Sequence, residues 1–462
     1  MMRWPSLAAA ILSLALLSPG GPATPHDGAA KAADGATKAA DGMIVYGVIP
    51  PRFGSPPLRA VTQNLPALAD LGVTTLWLTP IFESPPGDFG YAVTDYLTVR
   101  EEYGTRADLD ALVAEAHRLR LKVLLDLVPN HTSAKHPYFR DAAARGPSSP
   151  YFRFYQHDPR GAPVHYFDWS HLPNLNYDEP GVVRWMTDAS LSWIRTSGID
   201  GYRVDAAWGI RERTPSFWGA WTAQIRRARP DAILIAEASA RDPFYAAQGF
   251  DASYDWTSEP GHWAWEKVFD DPDDIPERLD RALQETAARA PEARVLRFLE
   301  NNDTGARFIT RHGPNLARVA AAALLTLPGV PCLFTGQEVG AEYEPYDVNR
   351  VVHLDRGSAL RDWYKKLIAL RAARPSLRSR HWTRVPVSVR SVYAYVRTEG
   401  AERTLVVLQF GDQPVNVVLE LPDRQDQSAT WRDGVGGPSP RMDEGRMSLS
   451  LPRWGVAILG SN

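Results

Sequence analysis

The sequence carries a single cysteine, Cys332, in 462 residues, so no disulfide can form within the chain. Its neighbours, Pro331 to Phe334, are apolar, which places the thiol in the interior. Neither sign of charge is in excess: 51 Lys and Arg stand against 54 Asp and Glu, with a formal net charge of −3 and a pI near 6.4. That balance removes any electrostatic case for nucleic acid or an anionic membrane as partner. Long hydrophobic runs are missing too. The apolar run Leu7 to Leu17 has about 11 residues, too few to cross a bilayer as a mature helix, and no other run approaches that task.

What the N-terminus does have is Arg3, that short apolar core, and then Ser18-Pro-Gly-Gly-Pro-Ala-Thr24. A basic start, an apolar middle and small residues for cleavage make residues 1–24 a secretory signal. The protein is therefore expected to be secreted or periplasmic, with no membrane contact in its mature form. No cysteine follows the apolar core, so no lipid anchor is expected. Residues 25–42 nearly repeat Gly-Ala-Ala-Lys-Ala-Ala-Asp-Gly. Without large apolar residues they cannot offset their ordering entropy and read as a flexible leader.

From Met43 onward, short apolar runs alternate with longer amphipathic ones. Ile44–Ile49, Thr75–Leu78, Val123–Leu127, Ile199–Val204, Ile233–Ala236, Phe250–Tyr254, Val295–Leu299 and Pro331–Phe334 read as buried strands. Helical patterns fall near 60–71, 106–120, 180–196, 216–229, 276–290, 314–326 and 358–373. This alternation predicts an α/β fold, an eight-stranded parallel (β/α)8 TIM barrel over 43–379. A connection of about 40 residues follows the third strand, and loops of that length are usually functional. It is rich in aromatics, as in Tyr151–Tyr155 and His165–Trp169, and reads as an inserted subdomain over 132–172 that walls a cleft. After residue 380, runs at Val385–Val389, Val392–Arg397, Thr404–Gln409, Val415–Leu421 and Met447–Leu451 predict a C-terminal antiparallel β-sandwich. It holds no chemical cluster and takes an accessory role.

The chemistry sits at strand ends. In Gly201-Tyr-Arg-Val-Asp205, alternation puts Arg203 and Asp205 on one face, where the guanidinium would hold the carboxylate ionised. Taken alone, that pair reads first as a structural ion pair. Its company changes the reading. The third strand ends Asp126-Leu-Val-Pro-Asn130-His131, the fifth ends at Glu237, and the seventh gives Glu300-Asn-Asn-Asp303. Acids gathered at one barrel rim are costly unless they have work. An ionised and a protonated carboxyl flanking one bond is what glycoside hydrolysis needs. The abundance of Trp, Tyr and Phe (15, 17 and 15) suits stacking on sugar faces.

These segments, with Leu172–Asn176, Gly90-Tyr91, Thr94–Tyr96, Pro328–Pro331 and Gly336–Glu338, resemble the α-amylase family, glycoside hydrolase family 13, in order and from about Ile44 to the C-terminus. The resemblance implies a retaining mechanism on α-glucosidic bonds in starch-like glucans or maltooligosaccharides. Asp205 would be the nucleophile, Glu237 the acid/base with a raised pKa, and Asp303 the stabiliser of the transition state. Arg203 would orient Asp205, His131 and Tyr91 would line the subsite of the attacked sugar, and Asp126 would brace its own loop. No cofactor is needed for this chemistry. A structural calcium ion is compatible with the resemblance, through Asn130 and acids of the insertion such as Asp158 and Asp168.

The chain also departs from the family. Asn302 stands where a histidine usually precedes the third acid, and Trp208-Gly209 replaces a common Lys-His. Trp208 would then stack on substrate or pack on the neighbouring loop. Asp88-Phe-Gly-Tyr91 resembles exo-acting relatives in which the Asp and an Arg after the eighth strand, here Arg350, grip the non-reducing end. The alternatives are therefore a transglycosylase, an exo-acting α-glucosidase or cyclomaltodextrinase-type enzyme on short oligosaccharides, and, from another class, a non-catalytic carbohydrate-binding relative.

Overall fold

The computed structural model describes residues 42–346, 350–354, 357–421, 423 and 430–461. The signal and leader expected over 1–42 lie outside these residues, Gly42 excepted. Among the described residues no helix is long and apolar enough to cross a membrane.

Eight parallel strands close into a barrel: β1 (Val45–Val48), β2 (Thr75–Leu78), β3 (Lys122–Leu127), β4 (Gly201–Val204), β5 (Ile233–Ser239), β6 (Ala252–Tyr254), β7 (Val295–Arg297) and β8 (Val330–Phe334). The fold is the expected TIM barrel, and β1 pairs with both β2 and β8. These strands are buried nearly throughout, which is why their sequences are continuous apolar runs rather than alternating ones. The β4 strand starts later than expected, at Gly201. There φ is 147°, and a Cβ would lie 1.9 Å from the Ile233 carbonyl oxygen on β5, so only glycine lets the two backbones approach. The β5 strand runs further than expected, and its pairing with β6 shifts register between Ala236 and Ser239. Glu237 sits in that irregularity, and bulges at barrel rims re-aim side chains.

Helices α1 (Pro57–Leu71) and α2 (Arg106–Arg118) follow β1 and β2. Thr105 and Asp108 form a capping box that starts α2. After β3 the chain leaves the barrel. It forms α3 (Pro137–Arg145), then folds back through antiparallel bridges such as His131 with Asn174 and Tyr155 with Leu175. Helices α4 (Pro180–Thr196), α5 (Ala207–Arg213), α6 (Ser216–Ala228), α7 (Ile275–Arg289), α8 (Phe308–Thr326) and α9 (Ala359–Ala373) complete the barrel. The short α5, which starts two residues after Asp205, was not foreseen.

The C-terminal region is a sandwich of a five-stranded and a three-stranded antiparallel sheet. Ala394, Val396, Leu405 and Val407 pack inward against Val417, Leu419, Met447 and Leu449 of the smaller sheet. The alternate residues Tyr393, Tyr395, Val406 and Leu408 pack on the barrel, so the larger sheet is covered on both faces. The strand expected at Val385–Val389 lies at Trp382–Val385, and Trp431–Asp433, Arg441–Asp443 and Val456–Ser461 are strands without a forecast. Buried Arg371 and Arg397 donate to carbonyls at the end of α8, where a helix leaves its last acceptors unpaired.

Candidate active site

Cα pairing between β3 and β4 places Asp126 beside Arg203, and the guanidinium becomes the centre of the site. Arg203 is fully buried. Its Nη1 donates to Asp126 Oδ1 and to Asp205 Oδ1, each at 2.9 Å, its Nε donates to Tyr254 Oη at 3.0 Å, and its Nη2 lies 3.2 Å from Glu237 Oε2. The Trp77 ring lies beneath the cation, 4.9 Å from its carbon. One positive charge thus serves three carboxylates, on the ends of β3, β4 and β5.

Burial first, and then that ratio, sets the direction in which each acid shifts. Burial pushes Asp205 up to about 7, with Arg203 opposing and Asp126 adding to the rise. Arg203 does pull Asp205 down, as its position suggested, but burial of the site outweighs a cation shared among three acids. Burial pushes Glu237 highest, to about 8, against Arg203 and with Asp205 adding to the rise. Asp303 rises to about 6 through burial, then through Glu237. Glu237 is therefore the acid of the cluster that keeps its proton longest.

Asp126 does not brace the loop after it. It accepts from Arg203, from Trp77 Nε1 at 3.0 Å and from Tyr91 Oη at 3.4 Å, which makes it the floor of the site. His131 is buried and kept neutral, its pKa pulled down to about 3 by burial, and its ring stacks on Tyr166 at 4.8 Å. Asn302 Nδ2 is within hydrogen-bond distance of Tyr91 Oη (3.0 Å), Asp303 Oδ1 (3.1 Å) and Tyr346 Oη (3.2 Å). Its Oδ1 is buried with no partner among the described residues, an acceptor suited to a sugar hydroxyl. Glu300, which shares the Asp303 segment, is spent elsewhere: it pairs with Arg307 at 2.5 Å and accepts the Phe308 amide at the start of α8.

A cleft of about 700 Å³ opens above these groups. Tyr91, His131, Asp205, Glu237, Asp303 and Trp208 line it, together with Tyr166, Phe167, Trp169, Trp256, Trp263 and Tyr346. Trp208 lines the cleft and packs 5.4 Å from Phe167. The aromatic stretch His165–Trp169 announced this wall. Trp256, Trp263 and Tyr346 were missed, because each stands in an irregular loop without a motif.

Among the described residues, no hydrogen bond or ion pair joins Asp88 to Arg350. Asp88 Oδ1 accepts the amides of Gly90 at 2.7 Å and Ala92 at 3.0 Å, closing its own turn. Arg350 is exposed and donates to the Glu342 carbonyl. The loops that carry them meet instead through Phe89 and Tyr346, whose rings lie 4.5 Å apart. Asn130 is buried, and its Oδ1 accepts from Arg213 Nη2 at 2.6 Å. Asp158 Oδ1 accepts two amides of its own loop, at 2.8 and 2.9 Å, and Asp168 is exposed. The Asn130 oxygen that the resemblance would offer to calcium is thus taken by a guanidinium, and no group of three or more His, Cys, Asp or Glu placed to hold a metal ion occurs among the described residues.

Residues 52–361 match the family model for the α-amylase catalytic domain. Alpha-amylase MalA of Haloarcula japonica is 33% identical over 371 residues, which cover 79% of this chain and 54% of that protein. The chain thus spans about half the length of that relative. Neopullulanase 2 of Thermoactinomyces vulgaris is 29% identical over 427 residues, 87% of this chain and 70% of its own. Among solved structures, the alpha-amylase of Geobacillus thermoleovorans complexed with acarbose superposes with a TM-score of 0.77 at 25% identity, covering 92% of this chain and 99% of that one. With the family model spanning most of the barrel around four strand-end acids, the chain belongs to the α-amylase family of glycoside hydrolases.

Proposed function

We propose that the protein is an exported retaining hydrolase of α-glucosidic bonds, mainly α-1,4, in starch-like glucans or maltooligosaccharides. Asp205 attacks the anomeric carbon and forms a covalent glycosyl-enzyme. Glu237 gives its proton to the leaving oxygen and then takes one from the incoming water. Asp303 and Asn302 hold hydroxyls of the attacked sugar, Tyr91 and His131 line its subsite, and Trp208 with Phe167 and Trp169 faces the leaving group. Export rests on the signal-like residues 1–24.

The observation that carries this reading is the single guanidinium held between Asp205 and Glu237. It places both carboxyls against one cation, and a retaining mechanism needs its two carboxyls close together; Glu237 holds its proton the longer. The test uses a linear maltooligosaccharide series with Asp205→Asn and Glu237→Gln. Each variant should lose nearly all turnover, and the wild type should release products first as the α-anomer. Near-wild-type turnover in either variant, or β-anomer released first, sinks the proposal.

A second reading, action at the chain end of short oligosaccharides, is favoured by the contact between Phe89 and Tyr346. It joins the loops after β2 and β8 next to Tyr91 and Asn302, which would make the subsite a pocket rather than a groove. One early product length from the wild type supports it, and mixed lengths count against it. Products longer than the substrate would place transfer above hydrolysis.

A further inference from the structure

The end of α5 holds a cation that the chemistry above does not use. Arg213 is half-buried, its Nη2 is 2.6 Å from Asn130 Oδ1, and no carboxylate forms an ion pair with it among the described residues. The other end of the Asn130 amide is also committed. Its Nδ2 lies 3.1 Å from His131 Nδ1 and 3.4 Å from Asn174 Oδ1. The amide is thereby oriented, oxygen to the cation and NH2 to two acceptors. His131 Nδ1 then accepts, which leaves its proton on Nε2, 3.2 Å from the Tyr91 carbonyl. The bridge between His131 and Asn174 ties the same residues to the inserted segment. Three pieces of chain meet here: the end of β3, the close of the insertion and α5.

Gly209 makes the meeting feasible. It lies one turn before Arg213 on the same face of the helix, and a Cβ there would stand 2.5 Å from Asn130 Oδ1 and 3.2 Å from Arg213 Nη1. Any other residue would push Asn130 and the guanidinium apart. The departure Trp208-Gly209 thus has a physical account for its second member, which the cleft alone did not supply.

We infer that the Arg213 guanidinium is a built-in cation at this junction, admitted by Gly209, and that it holds Asn130, and through it His131, without any metal ion. An arginine suits the task because its planar fork gives directed donors to one oxygen. Unlike a bound ion, it cannot be chelated away.

The test is the melting temperature of the purified full chain, alone, with excess EDTA and with millimolar calcium chloride. A protein that does not bind the ion gains nothing from it by linkage, so the wild type should shift by less than about 1 °C in either. Arg213→Gln should melt lower by roughly 2 to 4 °C, the loss of one charged hydrogen bond in a chain of this size. Gly209→Ala should fall with it, because the added methyl displaces the same contact. Arg213→Lys keeps the charge without the fork and should lie between Arg213→Gln and the wild type. A wild type that loses stability in EDTA or gains it with calcium overturns the inference. So does Arg213→Gln melting with the wild type, or Arg213→Lys melting no higher than Arg213→Gln.

Discussion

The backbone amide of Ala206 donates to Glu237 Oε2 at 2.6 Å, and Ala206 is the residue directly after Asp205. The two proposed catalytic carboxylates are thus joined through one residue of main chain. Ala206 pays for that aim with φ 44° and ψ 37°, a left-handed conformation uncommon for a residue with a Cβ and found where function fixes the backbone. The pH profile of kcat/KM should be a narrow bell. Its alkaline limb falls as Glu237 loses its proton near pH 8, and its acid limb, set by Asp205, lies above the ordinary carboxylate range. Ala206→Gly, which suits the left-handed backbone, should leave both limbs in place. An alkaline limb below pH 6 would remove Glu237 from the acid role.

Glu237→Gln should be inactive yet more resistant to heat at alkaline pH. A buried acid whose folded pKa is raised to about 8 binds more protons folded than unfolded. Its cost to stability therefore starts to build above its unfolded value, about 4.3, and is complete above its folded one. The gap in melting temperature between Glu237→Gln and the wild type should widen from pH 5 to pH 8. A gap that narrows over that interval contradicts the assignment.

Removing Arg203 should be worse than removing any acid it serves. Arg203→Met leaves Asp126, Asp205 and Glu237 buried without their cation, a loss of about 3 to 5 kcal/mol. Arg203→Lys should recover only part of it, since a point charge cannot reach three carboxylates and Tyr254 Oη together. Chemical denaturation measures both, and equal stability of the lysine variant and the wild type would refute the shared-fork account.

Tyr346 Oη donates to Asp303 Oδ1 at 2.9 Å, so the residue that closes the cleft also touches a proposed substrate-holding acid. Tyr346→Phe keeps the ring against Phe89 and should keep the product pattern, with a modest rise in KM. Tyr346→Ala removes the closure and should turn one early product length into several. Product chromatography on a linear maltooligosaccharide separates the two. An unchanged pattern in Tyr346→Ala denies the closure any part in substrate choice.

Much of this protein was determined by its sequence alone. The barrel strands were legible because buried parallel strands are continuous apolar runs between amphipathic helices. The acids were legible because each lies at the end of such a run: Asp205 directly follows β4, and Glu237 lies near the end of β5. The helix start at Thr105 was legible because a capping box is a contact within four residues. Only the tertiary structure decided the rest, which depends on residues far apart in the chain. Arg203 touches one acid two residues away, but Asp126 and Glu237 reach it from 77 and 34 positions distant, so the sequence pattern could suggest a pair and not a shared cation. The loops after β2 and β8 join through Phe89 and Tyr346 rather than Asp88 and Arg350, because Asp88 is spent on its own turn. Asn130 looked like a metal ligand by resemblance, and folding placed the Arg213 guanidinium on its oxygen. Local pattern set which elements form and which acids meet at the rim; side-chain contacts across the barrel set the charge each acid carries and the ends of the cleft.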